Sequence, residues 1–471
     1  MPHQATGVKF LLARTHGFTN YSTGSGKSVM QILLACYLLN HKKVSKVIHV
    51  APKSGCVSVL EDYEKHCTEQ PTHIKTLDDL YNFLEKDSYS VGVVQYNLIN
   101  KAIVYEPSPL KQTIVATMDQ RLLDLFKDTR ICVTFDEFHT LKNPQAQVTQ
   151  NWEYLRKHIN YCYGFTASTY MKNLYDIYHL CNFLDKTLFR TKTQFTKDFM
   201  RVRRKTLYLR SGRRHINEIV GYKNLELLKS RLDNIMCVYQ PKLNVVNHIE
   251  GTKLADMEDY AIVANGIVNE EEVQHSARLP ELQRVVNKDP NKIALFEQTI
   301  SKLLFQGVIV YCDMYDTVDI VTECLDNMNI GIEYKVINGK LSTKDRKGVK
   351  DWFTDDPSHK VLLITQAGGQ SLNLQATNQM ICYDLPFGVG KFIQIRGRIC
   401  RQFSEHKEFH IHYLVTDRTI DEYKYSLITQ VDEVFDKIFG LSLAPKDSLY
   451  TSFNAYIVDK LKQQFLWRST I

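Results

Sequence analysis

The sequence predicts an α/β protein with two tandem parallel-sheet lobes, a helical insertion between them and a helical C-terminal tail. Three observations predict this. Residues 44–50, 91–95, 131–135 and 161–166 are apolar or β-branched runs of strand length. Each ends in small or polar residues, and longer mixed segments separate them, the pattern of a parallel sheet covered by helices on both faces. The same pattern returns after about residue 305, at 307–312, 332–337, 360–365, 380–383 and 409–415. The length of 471 residues exceeds one ordinary domain of roughly 100–200 residues. The first lobe is expected over 1–185 and the second over 301–420.

Residues 186–300 read as mostly helical and more charged. They include seven Lys/Arg between 201 and 214: Arg201, Arg203, Arg204, Lys205, Arg210, Arg213 and Arg214. That basic block suits either a nucleic-acid track or a solvated face. The tail, 421–471, reads as helical from the three- and four-residue spacing of Leu427, Val431, Val434, Phe435 and Ile438. His410 and His412 alternate along a predicted strand and so share one face.

Composition removes several classes. With 44% hydrophobic and 24% charged residues, disorder, collagen and a disulfide scaffold are excluded as the main architecture. The longest clean apolar stretch, 32–39, is far short of the ~20 residues a membrane helix needs, and no signal peptide is visible at the start. Eleven Cys without a C-x-x-C pair read as reduced thiols in a cytoplasmic setting. A net charge of +7 permits a polyanionic partner without requiring one.

The sharpest local signal is Tyr21-Ser22-Thr23-Gly24-Ser25-Gly26-Lys27-Ser28, followed at once by an apolar helical run. Small residues let successive backbone N–H groups turn inward around phosphate oxygens, and the helix N-terminus adds partial positive charge. Lys27 is expected to reach the β- and γ-phosphates and Ser28 to ligate Mg²⁺. Tyr21 stands where the strict phosphate-loop pattern has glycine. Further on, the strand run 131–135 ends in Asp136-Glu137-Phe138-His139. An acid at the carboxyl end of a neighbouring strand is where a Mg²⁺-bound water must be held, and Asp136 fits. Glu137 is placed to orient and deprotonate the attacking water.

With these two signals in hand, the chain resembles the superfamily 2 helicases and translocases. It looks most like their Swi/Snf-type branch, in a minimal version of the sort that large phages and DNA viruses encode. Pro2-His3-Gln4 with Gly7-Val8 is similar to the family's adenine-reading motif, so the resemblance gives Gln4 the base. The family's upstream stacking aromatic is missing here, since the chain starts only three residues before Gln4. Thr23, Gly24, Ser25, Gly26, Lys27, Ser28 and His139 complete the expected nucleotide contacts. Residues 47–54, with Pro52 and Lys53, resemble the backbone-gripping motif Ia, and Gln95-Tyr96 lies where the next backbone motif is expected. Gly164-Phe165-Thr166-Ala167-Ser168 resembles motif III, which couples hydrolysis to movement. Residues 308–311, Asn338-Gly339, Arg346 and Trp352-Phe353 follow the family's next stretch. Residues 362–374 are the most Swi/Snf-like segment, and there Thr365 and Gly369 become expected nucleic-acid contacts. Residues 394–401 resemble motif VI, in which Arg398 and Arg401 act as fingers on the γ-phosphate.

The resemblance implies two RecA-like lobes that clasp ATP and Mg²⁺, and an ATP-dependent DNA helicase or translocase. It would act on branched, replicating or recombining DNA, with low sequence specificity and as a monomer. An RNA-dependent ATPase and an ATP-gated clamp are the alternatives. Two departures from the branch stand out: Gly-Ser-Gly-Lys-Ser in place of Gly-Leu-Gly-Lys-Thr, and Phe138 in the third place of Asp-Glu-x-His.

Overall fold

The computed structural model describes residues 1–22, 24–107, 114–167, 174–209, 212–241, 243–269, 275–329, 331–365, 374–400, 404–426, 428–429, 457–458, 460–461 and 463–464. The chain divides into two compact units. One is built from Met1–Tyr170, Leu174–Phe195 and Glu226–Gln240, the other from Thr196–Leu225 and Pro241–Ile471.

In chain order the elements begin α1 (Pro2–Leu12), β1 (His16–Tyr21), α2 (Lys27–Asn40), β2 (Lys46–Ala51), α3 (Lys53–His66), β3 (Thr72–Ile74), α4 (Leu77–Glu85) and β4 (Val91–Gln95). They continue with β5 (Ile103–Pro107), β6 (Ile114–Met118), α5 (Gln120–Asp128), β7 (Ile131–Asp136), α6 (Gln147–Arg156), β8 (Tyr161–Thr166), α7 (Leu174–Leu184) and α8 (Lys192–Phe199). Next come β9 (Met200–Leu209), β10 (Gly212–Tyr222), α9 (Leu225–Leu232), β11 (Met236–Tyr239), β12 (Asn244–Thr252), α10 (Glu258–Asn269), α11 (His275–Asn287) and α12 (Pro290–Leu303). The last are β13 (Val308–Tyr311), α13 (Tyr315–Met328), β14 (Glu333–Ile337), α14 (Thr343–Asp355), β15 (Lys360–Ile364), β16 (Gln379–Cys382), α15 (Val389–Ile399) and β17 (Glu408–Thr416).

The first unit holds a seven-stranded sheet in the order β11-β1-β8-β7-β2-β4-β3, and its pairings are parallel. Every residue of β2 is buried, as expected of a strand with helices on both faces. α2 places Met30, Leu34 and Leu38 on one face at four-residue spacing. They pack with Val47, Cys132, Tyr163 and Phe165 of the sheet. The second unit repeats the design with six strands, β12-β17-β16-β13-β15-β14, again parallel throughout. β13 is wholly buried, and α12 and α13 supply Phe296, Ile300, Val318 and Val321 to the same core.

The two predicted parallel-sheet lobes are therefore present. The segment between them departs from the expected helical insertion. β9 and β10 form an antiparallel hairpin there, β11 joins the first sheet beside β1, and β12 joins the second beside β17. The basic block thus lies on the hairpin strands, apart from Arg210, which is outside the described residues. A period of 3.6 and a period of 2 are hard to separate where charged residues dominate both faces. The predicted tail is helical over 420–426. Val431, Val434, Phe435 and Ile438, and Leu427 before them, lie outside the described residues. No helix among the described residues is long and apolar enough to cross a membrane.

Candidate nucleotide site

Three neighbouring strands of the first unit carry the chemistry at their carboxyl ends, where open parallel sheets place ligands. β1 runs into the phosphate loop, β7 ends at Asp136, and β8, between them in the sheet, ends at Thr166. Gly24 and Gly26 both adopt left-handed φ, 76° and 77°, a conformation that favours glycine. At Gly26 a Cβ would also lie 2.0 Å from the Gln4 side-chain nitrogen. Ser25 Oγ donates to Ser22 O at 2.8 Å, which tightens the turn. Lys27 opens α2 and donates its ammonium to the carbonyls of Tyr21 and Ser22, each at 3.0 Å. Ser28 follows in the first helical turn and is half-buried.

Tyr21, in the place of the expected glycine, is buried. Its hydroxyl donates to His3 O at 2.9 Å, and its ring covers Gly7, where a Cβ would lie 2.6 Å from the Tyr21 oxygen. The side chain therefore fastens α1 to the strand that carries the loop. Gln4 Nε2 donates to Ser25 O at 3.2 Å, so α1 touches the phosphate loop directly. His3 lies 3.0 Å from the same carbonyl and stacks on Tyr239 of β11, with ring centroids 4.2 Å apart and planes within 6°. Tyr239 was not visible as a site residue in the sequence, because only the β1–β11 pairing brings it here.

At the end of β7 the chain turns sharply. Glu137 takes a left-handed conformation, φ 48° and ψ 50°, which is costly for a non-glycine residue and is stored where the surroundings enforce it. Phe138 is the enforcing group. It is buried and packs with Phe18, Phe135 and Phe183, and a Cβ at Gly164 of β8 would lie 2.4 Å from its ring. The unusual Phe at this position thus anchors the acidic turn in the core. Glu137 Oε2 lies 3.2 Å from His139 Nδ1, and the same nitrogen lies 3.1 Å from Thr166 Oγ1. A short polar chain Glu137–His139–Thr166 therefore links β7 to β8.

Burial and then the adjacent Glu137 push the Asp136 carboxyl up to about 7, with Lys27 pulling the other way. A carboxylate so disposed, with the Ser28 hydroxyl as a second oxygen donor, fits a hard divalent cation, whose charge would stabilise the ionised form. Tyr96 donates its hydroxyl to Asp136 O at 2.6 Å and is buried. It therefore braces the acidic strand end from within, rather than reaching a nucleic-acid backbone. His49, in the strand of motif Ia, is likewise internal. It contacts Thr134 Oγ1 at 2.6 Å and Tyr63 OH at 2.8 Å, and burial pushes its imidazole down to about 3.

Among the expected nucleic-acid contacts, Lys53 is exposed at the start of α3 and Pro52 is half-buried beside it. Thr365 is buried, with its backbone N–H on Ile337 O at 3.2 Å, which leaves little of its side chain for a nucleic-acid backbone. In the second unit Arg398 sits half-buried near the end of α15, and its carbonyl accepts from Leu374 N at 3.2 Å. Thr23, Ser168, Gly369 and Arg401 lie outside the described residues.

Two family models match in chain order. The first, type III restriction enzyme, res subunit, covers residues 2–170. The second, helicase conserved C-terminal domain, covers 291–402. The chain is 25% identical over 340 residues to the uncharacterized ATP-dependent helicase YqhH of Bacillus subtilis, covering 65% of this chain and 59% of that protein. It is 22% identical over 384 residues to human chromodomain-helicase-DNA-binding protein 7, covering 73% of this chain and 12% of that protein. The chain therefore spans less than two thirds of the length of these relatives. A solved structure described as the Sulfolobus solfataricus SWI2/SNF2 ATPase core in complex with dsDNA is 16% identical, covers 94% of this chain and 97% of that one, and gives a TM-score of 0.40. With the first family model lying over the phosphate loop and acidic turn, and the second over the later parallel sheet, the chain belongs to the superfamily 2 helicases.

Proposed function

We propose that this chain hydrolyses ATP and uses the cycle to move along DNA, acting on branched, replicating or recombining DNA. The observation that carries the reading is the strand order β1-β8-β7. It sets the phosphate loop, Thr166 and the Asp136-Glu137 turn side by side at one end of the first sheet. Lys27 leaves the carbonyls of Tyr21 and Ser22 for the phosphates, exchanging weak acceptors for charged ones. Glu137 accepts the proton of the attacking water as the bond from the bridging oxygen to the γ-phosphorus breaks and ADP leaves. Mg²⁺, held by Asp136 and Ser28, supplies charge neutralisation to the phosphates when bound. His139, in reach of both Glu137 and Thr166, carries the change at the phosphate to the end of β8. In this proposal Arg398 and Arg401 are the arginine fingers, groups that contribute about 10³–10⁵ in rate in related phosphoryl transfer.

Two features support DNA as the track. Arg201, Arg203 and Arg204 lie exposed on β9, and the chain carries a net charge of +7. The relatives also include proteins named for DNA binding. Backbone contacts carry little sequence information, so stimulation is expected to be independent of sequence and steeply salt-dependent. ATP turnover measured with single-stranded, duplex, forked and four-way DNA and with RNA tests this. DNA should stimulate turnover at least about tenfold, forked and four-way forms most, with the effect fading between 50 and 200 mM salt, roughly the range over which phosphate contacts weaken. Stimulation by RNA alone would replace the proposal with an RNA-dependent ATPase, and no stimulation by any nucleic acid would remove the motor.

A further inference from the structure

We infer that His248, Glu250 and His412 form a binding site for a divalent transition-metal ion on one face of the β12–β17 strand pair in the second unit. The strand register brings the residues together. His248 lies opposite His412, and Glu250, two residues on, projects from the same face. One donor atom from each residue lies within 4.8 Å of the others. His412 Nδ1 and Glu250 Oε1 are 3.2 Å apart, close to the roughly 3.3 Å that separates two ligands on a tetrahedral ion with bonds of about 2.0–2.1 Å. Two imidazoles and one carboxylate suit zinc and its first-row neighbours, and leave further coordination positions open. The His248 and His412 rings stack with centroids 4.3 Å apart and planes within 8°, so one ring must turn about its side-chain bonds to bring both nitrogens onto one ion.

The hydrogen bonding around His412 bears on the same site. His412 is buried, and acceptors face both of its nitrogens. Glu250 Oε1 faces Nδ1, and Gln379 Oε1 faces Nε2 at 3.4 Å. The Gln379 amide nitrogen is committed elsewhere, donating to Gln306 Oε1 at 2.7 Å, so its oxygen is the atom turned toward His412. A neutral imidazole has one N–H and can satisfy only one acceptor. Either a second ring proton or a cation between Nδ1 and the Glu250 carboxylate resolves this, and metal uptake tells the two apart. With the cation in place the proton resides on Nε2 and donates to Gln379, the outer-shell arrangement that orients metal-bound histidines. His248 has a comparable outer partner, with His410 Nδ1 3.1 Å from its Nε2. His410 Nε2 in turn lies 3.2 Å from Glu408 Oε1. Because β12 is an edge strand paired only to β17 among the described strands, an ion here would clamp that edge to the sheet.

The test is metal uptake by the full chain, freed of metal by chelator, with Zn²⁺ titrated calorimetrically and Co²⁺ followed by its visible absorption. The expected result is saturable uptake of about one equivalent through histidine and carboxylate ligands, together with a rise in thermal midpoint. His248→Ala and Glu250→Gln, both at half-buried edge-strand positions, should each weaken uptake at least about tenfold and abolish the rise. Should His248→Ala fail to fold, Glu250→Gln alone decides. No saturable uptake by the unmodified chain, or undiminished affinity in the folded variants, would overturn the site. ATP turnover does not enter the readout, so the result stands apart from the motor proposal.

Discussion

Gly164 and Phe138 show how one residue pair shapes the site. The Phe138 ring occupies the volume a side chain at 164 would need, with atoms 2.4 and 2.5 Å from a built Cβ and Phe18 at 2.9 Å on another side. Gly164→Ala should therefore cost about 1–3 kcal/mol, as overpacking does in a close-packed core, and should lower ATP turnover by disturbing the turn that holds Glu137. Urea unfolding of the variant checks the first part. Asp136 works in the opposite sense. Its carboxyl titrates near 7 in the folded chain and near 3.9 when unfolded. The folded state thus binds the extra proton between those values, and stability falls as pH rises through 7. Asp136→Asn removes that dependence. It should stabilise the nucleotide-free protein at pH 8 by of order 1–3 kcal/mol, with part of the gain offset by the lost attraction to Lys27, have almost no effect below pH 4, and abolish turnover. Paired melts at pH 4 and pH 8 read the sign. Lys27, Ser28, Asp136 and Glu137 could be singled out in sequence because each sits in a short contiguous motif, and the fold sets their segments at the ends of β1 and β7, with β8 between. Tyr96 and Tyr239 were not, because their roles depend on pairings between distant strands.

Most of the strands that were legible as elements are buried on both faces, where a contiguous apolar run is the signature; β14, an edge strand with exposed residues, was legible as well. Residues 91–95 and 161–166 match β4 and β8 to the residue, and most others agree within one or two positions. β1 was missed because Thr19 and Asn20 are polar yet fully buried at its centre. β12 was missed because it is an edge strand with exposed and half-buried residues along its length. The second unit also contains an ionic cluster that no local pattern announces. Lys292 of α12 is fully buried with its ammonium 2.5 Å from Asp421 Oδ2, and Gln283 donates to the same carboxylate at 2.8 Å. Asn287 bridges Lys292 to Asp384. These contacts tie α11 and α12 to the helical residues after β17. Lys292→Ala strands the Asp421 carboxylate and should destabilise by about 3–5 kcal/mol, whereas Lys292→Met combined with Asp421→Leu should recover most of that loss. Chemical denaturation of the three proteins separates the cost of an orphaned charge from that of lost packing.

At the scale of the whole molecule, the repeated parallel-sheet design was legible because its hydrophobic rhythm occurs twice. The hairpin β9–β10 and the crossing of β11 into the first sheet were not, since both depend on contacts far apart in the chain. The proposed motor depends on one chemical event at the end of β7 of the first unit. The most direct measurement of that claim is single-turnover ATP hydrolysis and ATP binding by Glu137→Gln in the presence of forked DNA. The amide keeps the shape of the turn but cannot take a proton from water. Turnover should drop by about 10²–10⁴, the usual contribution of a general base, while ATP affinity stays within a few-fold of the unmodified chain. Hydrolysis at the unmodified rate with ATP still bound would contradict the account, because the water would then be activated by some group other than Glu137.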